Sequence, residues 1–266
     1  MNPVDLLGRL ELAVAIAREA GQLTMQFFQR AIDIELKQDA SPVTIADREA
    51  ELYLRQRITM QFPHDAILGE EFPERAGKSG FRWILDPIDG TKSFIYGVPL
   101  YSTLIGIEHN GRSVVGVIQI PALDECVYAA TGHGAWYMRR GQEAQPAEVS
   151  TKSKLSEGLF CTSEVKTFFK VGRGEAYNRL QNAAWLSRTW GDGYGYLLVA
   201  TGRAEVMVDP KMNVWDCAAL QPIIEEAGGT FTDWKGEPTI YGGEAVATNG
   251  HVLEEVLGIT SEYLGK

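Results

Sequence analysis

Basic residues are scarce in this chain. Its 266 residues carry 25 Lys+Arg against 35 Asp+Glu, a formal charge of −10. That deficit excludes a general binder of the nucleic-acid backbone, which needs a basic face. Cysteine is rarer still. Cys126, Cys161 and Cys217 are odd in number, widely spaced and without a CxxC. They exclude a disulfide framework and a cysteine zinc site, and suit a reducing compartment such as the cytoplasm. The four histidines (His64, His109, His133, His251) show no ligand spacing. No apolar run approaches the roughly 18 residues of a membrane span. The opening MNPVDLLGRLELAVA has Asp5 and Glu11 in its first turns and no basic flank, so it reads as a helix rather than a signal peptide. Nucleophile motifs are missing too: there is no G-x-S-x-G, and Cys217 has no evident His partner. Nor is there an internal repeat or a low-complexity tract.

What is present is an ordinary globular composition, 45% hydrophobic and 23% charged, long enough for a large core. Leu6, Leu10, Ala13, Ala17, Ala20 and Phe27 recur at steps of three and four, predicting an amphipathic helix over 5–30. Strand-like IDIELK and a loop QDASP lead to a second helix over 46–62, stopped by Pro63. Short apolar runs follow at 82–86, 102–108, 114–120, 125–130 and 135–138, with Asn110-Gly111 as a hairpin signal. They predict a largely antiparallel sheet. Helix and strand then alternate: GDGYGYLLVATGRA reads as a helix running into a strand at 205–208, and WDCAALQPIIEEAGG as one helix stopped by Gly228-Gly229. The expected class is α+β, helices layered on sheets, in one catalytic unit over 1–266. A subdomain boundary is expected near 142–154, dividing a metal-binding subdomain (1–145) from a substrate-side subdomain (146–266).

Chemistry concentrates in Gly69-Glu70-Glu71 and in Trp83-Ile84-Leu85-Asp86-Pro87-Ile88-Asp89-Gly90-Thr91. An apolar strand ends in Asp86, Pro87 halts its ladder, and Gly90-Thr91 opens a helix. Paired carboxylates at a strand end suit a hard divalent cation such as Mg²⁺. Pro87 fixes a φ that can aim the Ile88 carbonyl at the same space. Helix-start amides attract phosphate, and Gly90 permits close approach. Singly, each piece also reads as something plainer: Asp-Gly as a turn, Glu70-Glu71 as a surface pair, Asp47 as part of a Thr44 capping box, Asp216 as an N-cap. Trp83, Trp190 and Trp215 read as core or pocket walls.

In this order, GEE, WILDPIDGTKSF and WDCAAL…EEAGG resemble the lithium-sensitive, Mg²⁺-dependent phosphatases of the inositol monophosphatase superfamily, nearly end to end. The resemblance implies an α-β-α-β-α layered sandwich of the inositol monophosphatase and sugar phosphatase type, hydrolysing a small phosphomonoester with two or three Mg²⁺. Glu70, Asp86, the Ile88 carbonyl, Asp89 and Asp216 match the family's metal ligands. Thr91 and Asp47, with Glu70 beside them, match the group that orients and deprotonates the attacking water. Gly90 and Thr91 match the phosphate cradle, with Asp89 and Asp216 bordering the substrate. Lys37 and Thr44 lie near the site.

The continuation Thr91-Lys92-Ser93-Phe94 and the stretch GVPLYSTLIGI are most similar to the branch that hydrolyses histidinol phosphate in histidine biosynthesis. There an Arg before a Gly-Asp pair contacts substrate, matched by Arg188 and Asp192. Asp209 matches a substrate-facing acid, and Gly193 departs from the larger residue often found at its position. Members are commonly homodimers. The alternatives are inositol-1-phosphate or a broad range of small phosphomonoesters as substrate, and a binding protein that keeps the fold without turnover.

Overall fold

The computed structural model describes residues 3–37 and 41–263. Gln38, Asp39 and Ala40 of the expected QDASP loop lie outside the described residues. The chain runs α1 (Pro3–Met25), β1 (Ile34–Leu36), β2 (Pro42–Thr44), α2 (Ile45–Gln61), β3 (Ala66–Gly69), β4 (Phe81–Asp89), α3 (Thr91–Ile95), β5 (Ser102–His109), β6 (Arg112–Ile120), β7 (Glu125–Ala130), β8 (Ala135–Arg139) and β9 (Gln145–Pro146). It continues through β10 (Leu159–Cys161), α4 (Val165–Lys170), α5 (Gly174–Ala183), β11 (Leu186–Arg188), α6 (Gly193–Ala200), β12 (Val206–Asp209), α7 (Val214–Cys217), α8 (Leu220–Glu226), β13 (Thr230–Thr232), β14 (Ala245–Thr248) and α9 (Leu253–Thr260).

Strands β3 to β9 lie side by side in chain order as a seven-stranded sheet, antiparallel except for the parallel β3–β4 pair. Both faces are covered, so its central strands read as unbroken apolar runs. Trp83, Leu85, Ile105, Val115 and Val117 pack under α1 and α2 with Ile16, Leu54 and Ile58. Ile84, Leu104, Ile118 and Ile120 point the other way, onto Leu197, Ile223 and Ile224 of α6 and α8. Those helices rest in turn on a five-stranded sheet, β11-β10-β12-β14-β13. Its far face packs Phe160, Val206 and Val208 against Phe168, Leu180 and Val256 of α4, α5 and α9. Counting through the molecule gives five layers, α-β-α-β-α, as expected. Among the described residues no helix is long and apolar enough to cross a membrane.

Four local expectations are corrected. Helix α1 stops at Met25, before Phe27, and the chain turns through Gln29 at φ 58°. Strand β4 does not end at Asp86 but continues past Pro87 to Asp89 through a bulge. The single helix expected from Trp215 is two, α7 and α8. Pro222 has no N–H for the Ala218 carbonyl, which accepts the Ser113 hydroxyl instead at 2.6 Å. The break sits over Gly106 and Gly116, paired on β5 and β6, where a Cβ would strike the Ala218 and Ala219 backbone. Lastly, Trp83 is core and Trp215 packs against the core, but Trp190 is exposed.

Candidate active site

The β4 bulge builds the acid site. Asp86 pairs with Leu104 and Asp89 with Ser102, so two residues on β4, Pro87 and Ile88, oppose one on β5, Thr103. Side chains alternate along a strand, and one extra residue reverses the alternation. Asp86 and Asp89 therefore share the inner face, while Ile88 turns to the other side. There Ile88 is buried with Ala46, Phe94 and Tyr101. The Thr103 hydroxyl bonds the Pro87 carbonyl at 2.9 Å and holds the bulge.

Asp216, on α7, completes the trio: ligand oxygens of Asp86, Asp89 and Asp216 lie within 4.8 Å of one another. Asp216 is not an N-cap but the third residue of a capping box, accepting the Asn213 amide at 2.6 Å. Asp89 accepts the Ser102 hydroxyl at 2.6 Å and the Gly193 amide at 2.5 Å, both on Oδ2. The Gly193 departure has its reason here: a Cβ would run into the Ser102 hydroxyl and the Asp89 carboxylate. Among the described residues, Asp86 Oδ1 is buried with no hydrogen-bond partner.

Burial, and then the neighbouring acids, lift Asp86 and Asp89 well above the carboxylate range, and burial lifts Asp216 to about 7. These are groups waiting for positive charge. Folded-state pKa values above the unfolded ones mean that protonation favours the fold. Without metal, that stability is present below about pH 4 and is lost as pH rises through about 7. We expect the melting temperature in chelator to fall across this window and Mg²⁺ to restore it, more strongly at pH 8 than at pH 5. A Tm indifferent to Mg²⁺ at pH 8 would count against a cation site.

Asp47 does two jobs. Its Oδ2 accepts the Thr44 amide at 2.8 Å and the Thr44 hydroxyl at 2.6 Å, closing the capping box of α2. Its Oδ1 faces the Thr91 hydroxyl at 3.5 Å, and that hydroxyl also reaches the Ile88 carbonyl at 3.2 Å. Burial raises the Asp47 carboxyl, against the pull of the Thr44 bonds.

Glu70 and Glu71 each take Lys37 Nζ at 2.6 Å. Burial pushes Glu71 up to about 7 even so. Sequence reasoning missed what holds this pair. Glu51, fully buried on α2, accepts the Glu71 amide at 2.7 Å and the Arg55 guanidinium at 2.6 Å, while Arg55 also bonds the Phe72 carbonyl. The Glu51 carboxylate fills the space a side chain on Gly69 would need. An acid four residues before an Arg on a helix was the only signal, and it reads equally well as a surface pair.

Between the two sheets, a cavity of about 130 Å³ adjoins the trio, bordered by Asp89, Asp192, Asp209 and Asp216. Asp209 is saturated: Thr162, the Ser163 amide and hydroxyl, and the Tyr196 hydroxyl all donate to it at 2.9–3.1 Å. Asp192 has φ 54° and ψ −154°, a conformation that costs a non-glycine residue about 1–3 kcal/mol. Its carboxylate stands over Gly90, 2.5 Å from where a Cβ would lie, so Gly90 must be glycine. Burial, then the Asp209 charge, lift Asp192 to about 6. Arg188 is not brought into the cavity lining. It is exposed at the end of the edge strand β11, bonded to the Ser187 carbonyl with its guanidinium 5.9 Å from the Trp190 ring centroid.

The inositol monophosphatase family profile matches residues 6–263. The chain is 43% identical over 245 residues to the histidinol-phosphatase of Chlorobaculum parvum, covering 92% of this chain and 93% of that one. It is 39% identical over 249 residues to the histidinol-phosphatase of Mycobacterium tuberculosis, covering 93% and 96%. Among solved structures, the Thermotoga maritima IMPase matches with a TM-score of 0.85 at 30% identity, over 96% of this chain and 97% of that one. Fold, acid cluster and matches together define a class, the phosphatases built as layered α-β sandwiches. The chain belongs to the inositol monophosphatase family.

Proposed function

We propose that this chain is a Mg²⁺-dependent phosphatase that hydrolyses L-histidinol phosphate to L-histidinol and phosphate, working as one catalytic unit. The observation that carries the substrate is the 43% identity, over nearly the whole of both chains, to a histidinol-phosphatase. The residues present suit a divalent cation: three clustered carboxylates, all-oxygen donors, and a buried Asp86 oxygen without a partner. Glu70, Asp86, the Ile88 carbonyl, Asp89 and Asp216 would hold two or three such ions. Bound there, Mg²⁺ supplies a water of lowered pKa and positive charge for the leaving oxygen.

The rest falls to the chain. Thr91 orients the attacking water through its hydroxyl, and Asp47 Oδ1 takes the proton that the hydroxyl relays. The Gly90-Thr91 turn receives the phosphate at the start of α3, as helix-start amides do. The alcohol half of the substrate occupies the cavity beside Asp192 and Asp209.

The likeness to the Thermotoga maritima IMPase favours inositol-1-phosphate as a second reading. Steady-state phosphate release across a panel separates them. The expected result is a kcat/KM for histidinol phosphate at least about tenfold above that for inositol-1-phosphate, within the range a few pocket contacts supply. The reverse order would sink the assignment. Inhibition by Li⁺ is expected alongside.

A further inference from the structure

Asp89 and Asp216 aside, three carboxylates border the cleft: Asp192, Asp209 and Glu164. They are not equally available. Asp209 already receives four donors on two oxygens, which leaves it no lone pair for a ligand. Asp192 lies over Gly90, crowded by the charges of Asp89 and Asp209 beside it. Glu164 differs from both. It precedes α4 on the wall shared by the cavity next to Asp209 and a second cavity next to Glu70 and Thr91, so it stands where the two meet.

Its two oxygens have distinct surroundings. Oε2 is fixed by the Thr167 hydroxyl at 2.6 Å. Among the described residues, Oε1 bonds only Lys92 Nζ, at 3.3 Å, which reaches it from α3. The Lys92 side chain is 65% exposed and that of Glu164 38%, and an ion pair so open to water is weakly held. The Thr167 hydroxyl, with Lys92 behind it, holds the Glu164 carboxyl below the usual range against the opposing effect of burial, so it stays ionised. A tethered ammonium thus occupies, loosely, the second oxygen of a carboxylate that lines both cavities.

We infer that Glu164 is a specificity-determining residue: its Oε1 exchanges Lys92 for the ammonium of the substrate and so selects a phosphomonoester whose alcohol carries an amine. This rests on the histidinol phosphate assignment above. The exchange is ammonium for ammonium, so no charge is left uncompensated, and Lys92 is released to solvent, where most of its side chain already lies. A neutral polyol phosphate gains nothing from the exchange.

The test compares histidinol phosphate with its deaminated analogue, the same imidazolyl alcohol phosphate without the amine, in the wild type, E164Q and E164D. The wild type is expected to prefer the amine-bearing substrate by about tenfold or more in kcat/KM, the low end for a hydrogen bond to a charged group. E164Q is expected to bring that ratio close to one, chiefly through KM, and E164D to recover some of it. A ratio in E164Q equal to that of the wild type overturns the inference and leaves the substrate assignment standing. So does an equal loss on both substrates, which is the mark of a merely structural role. A wild type that turns over histidinol phosphate no better than inositol-1-phosphate overturns the substrate assignment, and the inference with it.

Discussion

Asp89→Asn is expected to lower kcat/KM for phosphate release by at least about 10³-fold, the scale of losing a preorganised charge aimed at a transition state. Asp89 divides its labour between its two oxygens. Oδ2 holds both protein donors, the Ser102 hydroxyl and the Gly193 amide, and leaves Oδ1 without them. In the variant the amide oxygen keeps those donors and the NH₂ group is presented to the Asp86–Asp216 cluster, where it cannot ligate a cation. The same change removes one of three crowded acids. In chelator, D89N should therefore melt no lower than the wild type, whereas with Mg²⁺ the wild type should melt higher. Steady-state assays and paired melts check both halves. Activity within tenfold of wild type would rule out Asp89 as a ligand.

Asp47→Asn should cost about 10² to 10⁴ in kcat, the usual worth of a positioned general base. The same division of oxygens makes this a clean substitution. The Oδ2 side closes the α2 capping box on Thr44 and survives in Asn, while the Oδ1 side, which meets the Thr91 hydroxyl, becomes a donor where an acceptor stood. KM and Tm should barely move. Asp47→Ala, by contrast, loses base and cap together and should also destabilise the fold by about 0.5–2 kcal/mol. A kcat for D47N within tenfold of wild type would mean that capping is the only work Asp47 does.

That dual use explains how far the sequence could be read. The TIAD capping box and the WD motif were visible as caps, while Asp47 matched the family's water-activating pair and Asp216 its metal ligands; in the structure the cap and the face toward the site coexist in one carboxylate. Periodicity located α2, the central antiparallel strands and the Asn110-Gly111 turn, because each depends on residues close in sequence. The bulge at Pro87 was not legible, since it is defined by pairing with Ser102 and Leu104 on another strand. Nor was the α7–α8 break, whose cause is Pro222 together with two glycines a hundred residues earlier.

Arg188 and Asp209 were picked by motif position alone, yet one is exposed at an edge strand and the other is saturated by its neighbours. Glu51 and Glu164 carry no motif at all. Their importance lies in what they touch.

The most direct measurement is phosphate release from histidinol phosphate by chelator-stripped protein as Mg²⁺ is returned. The expected result is no turnover in EDTA, recovery with rising Mg²⁺, and suppression by Li⁺. Undiminished turnover in EDTA, or none at any Mg²⁺ concentration, would contradict a cation-dependent phosphatase.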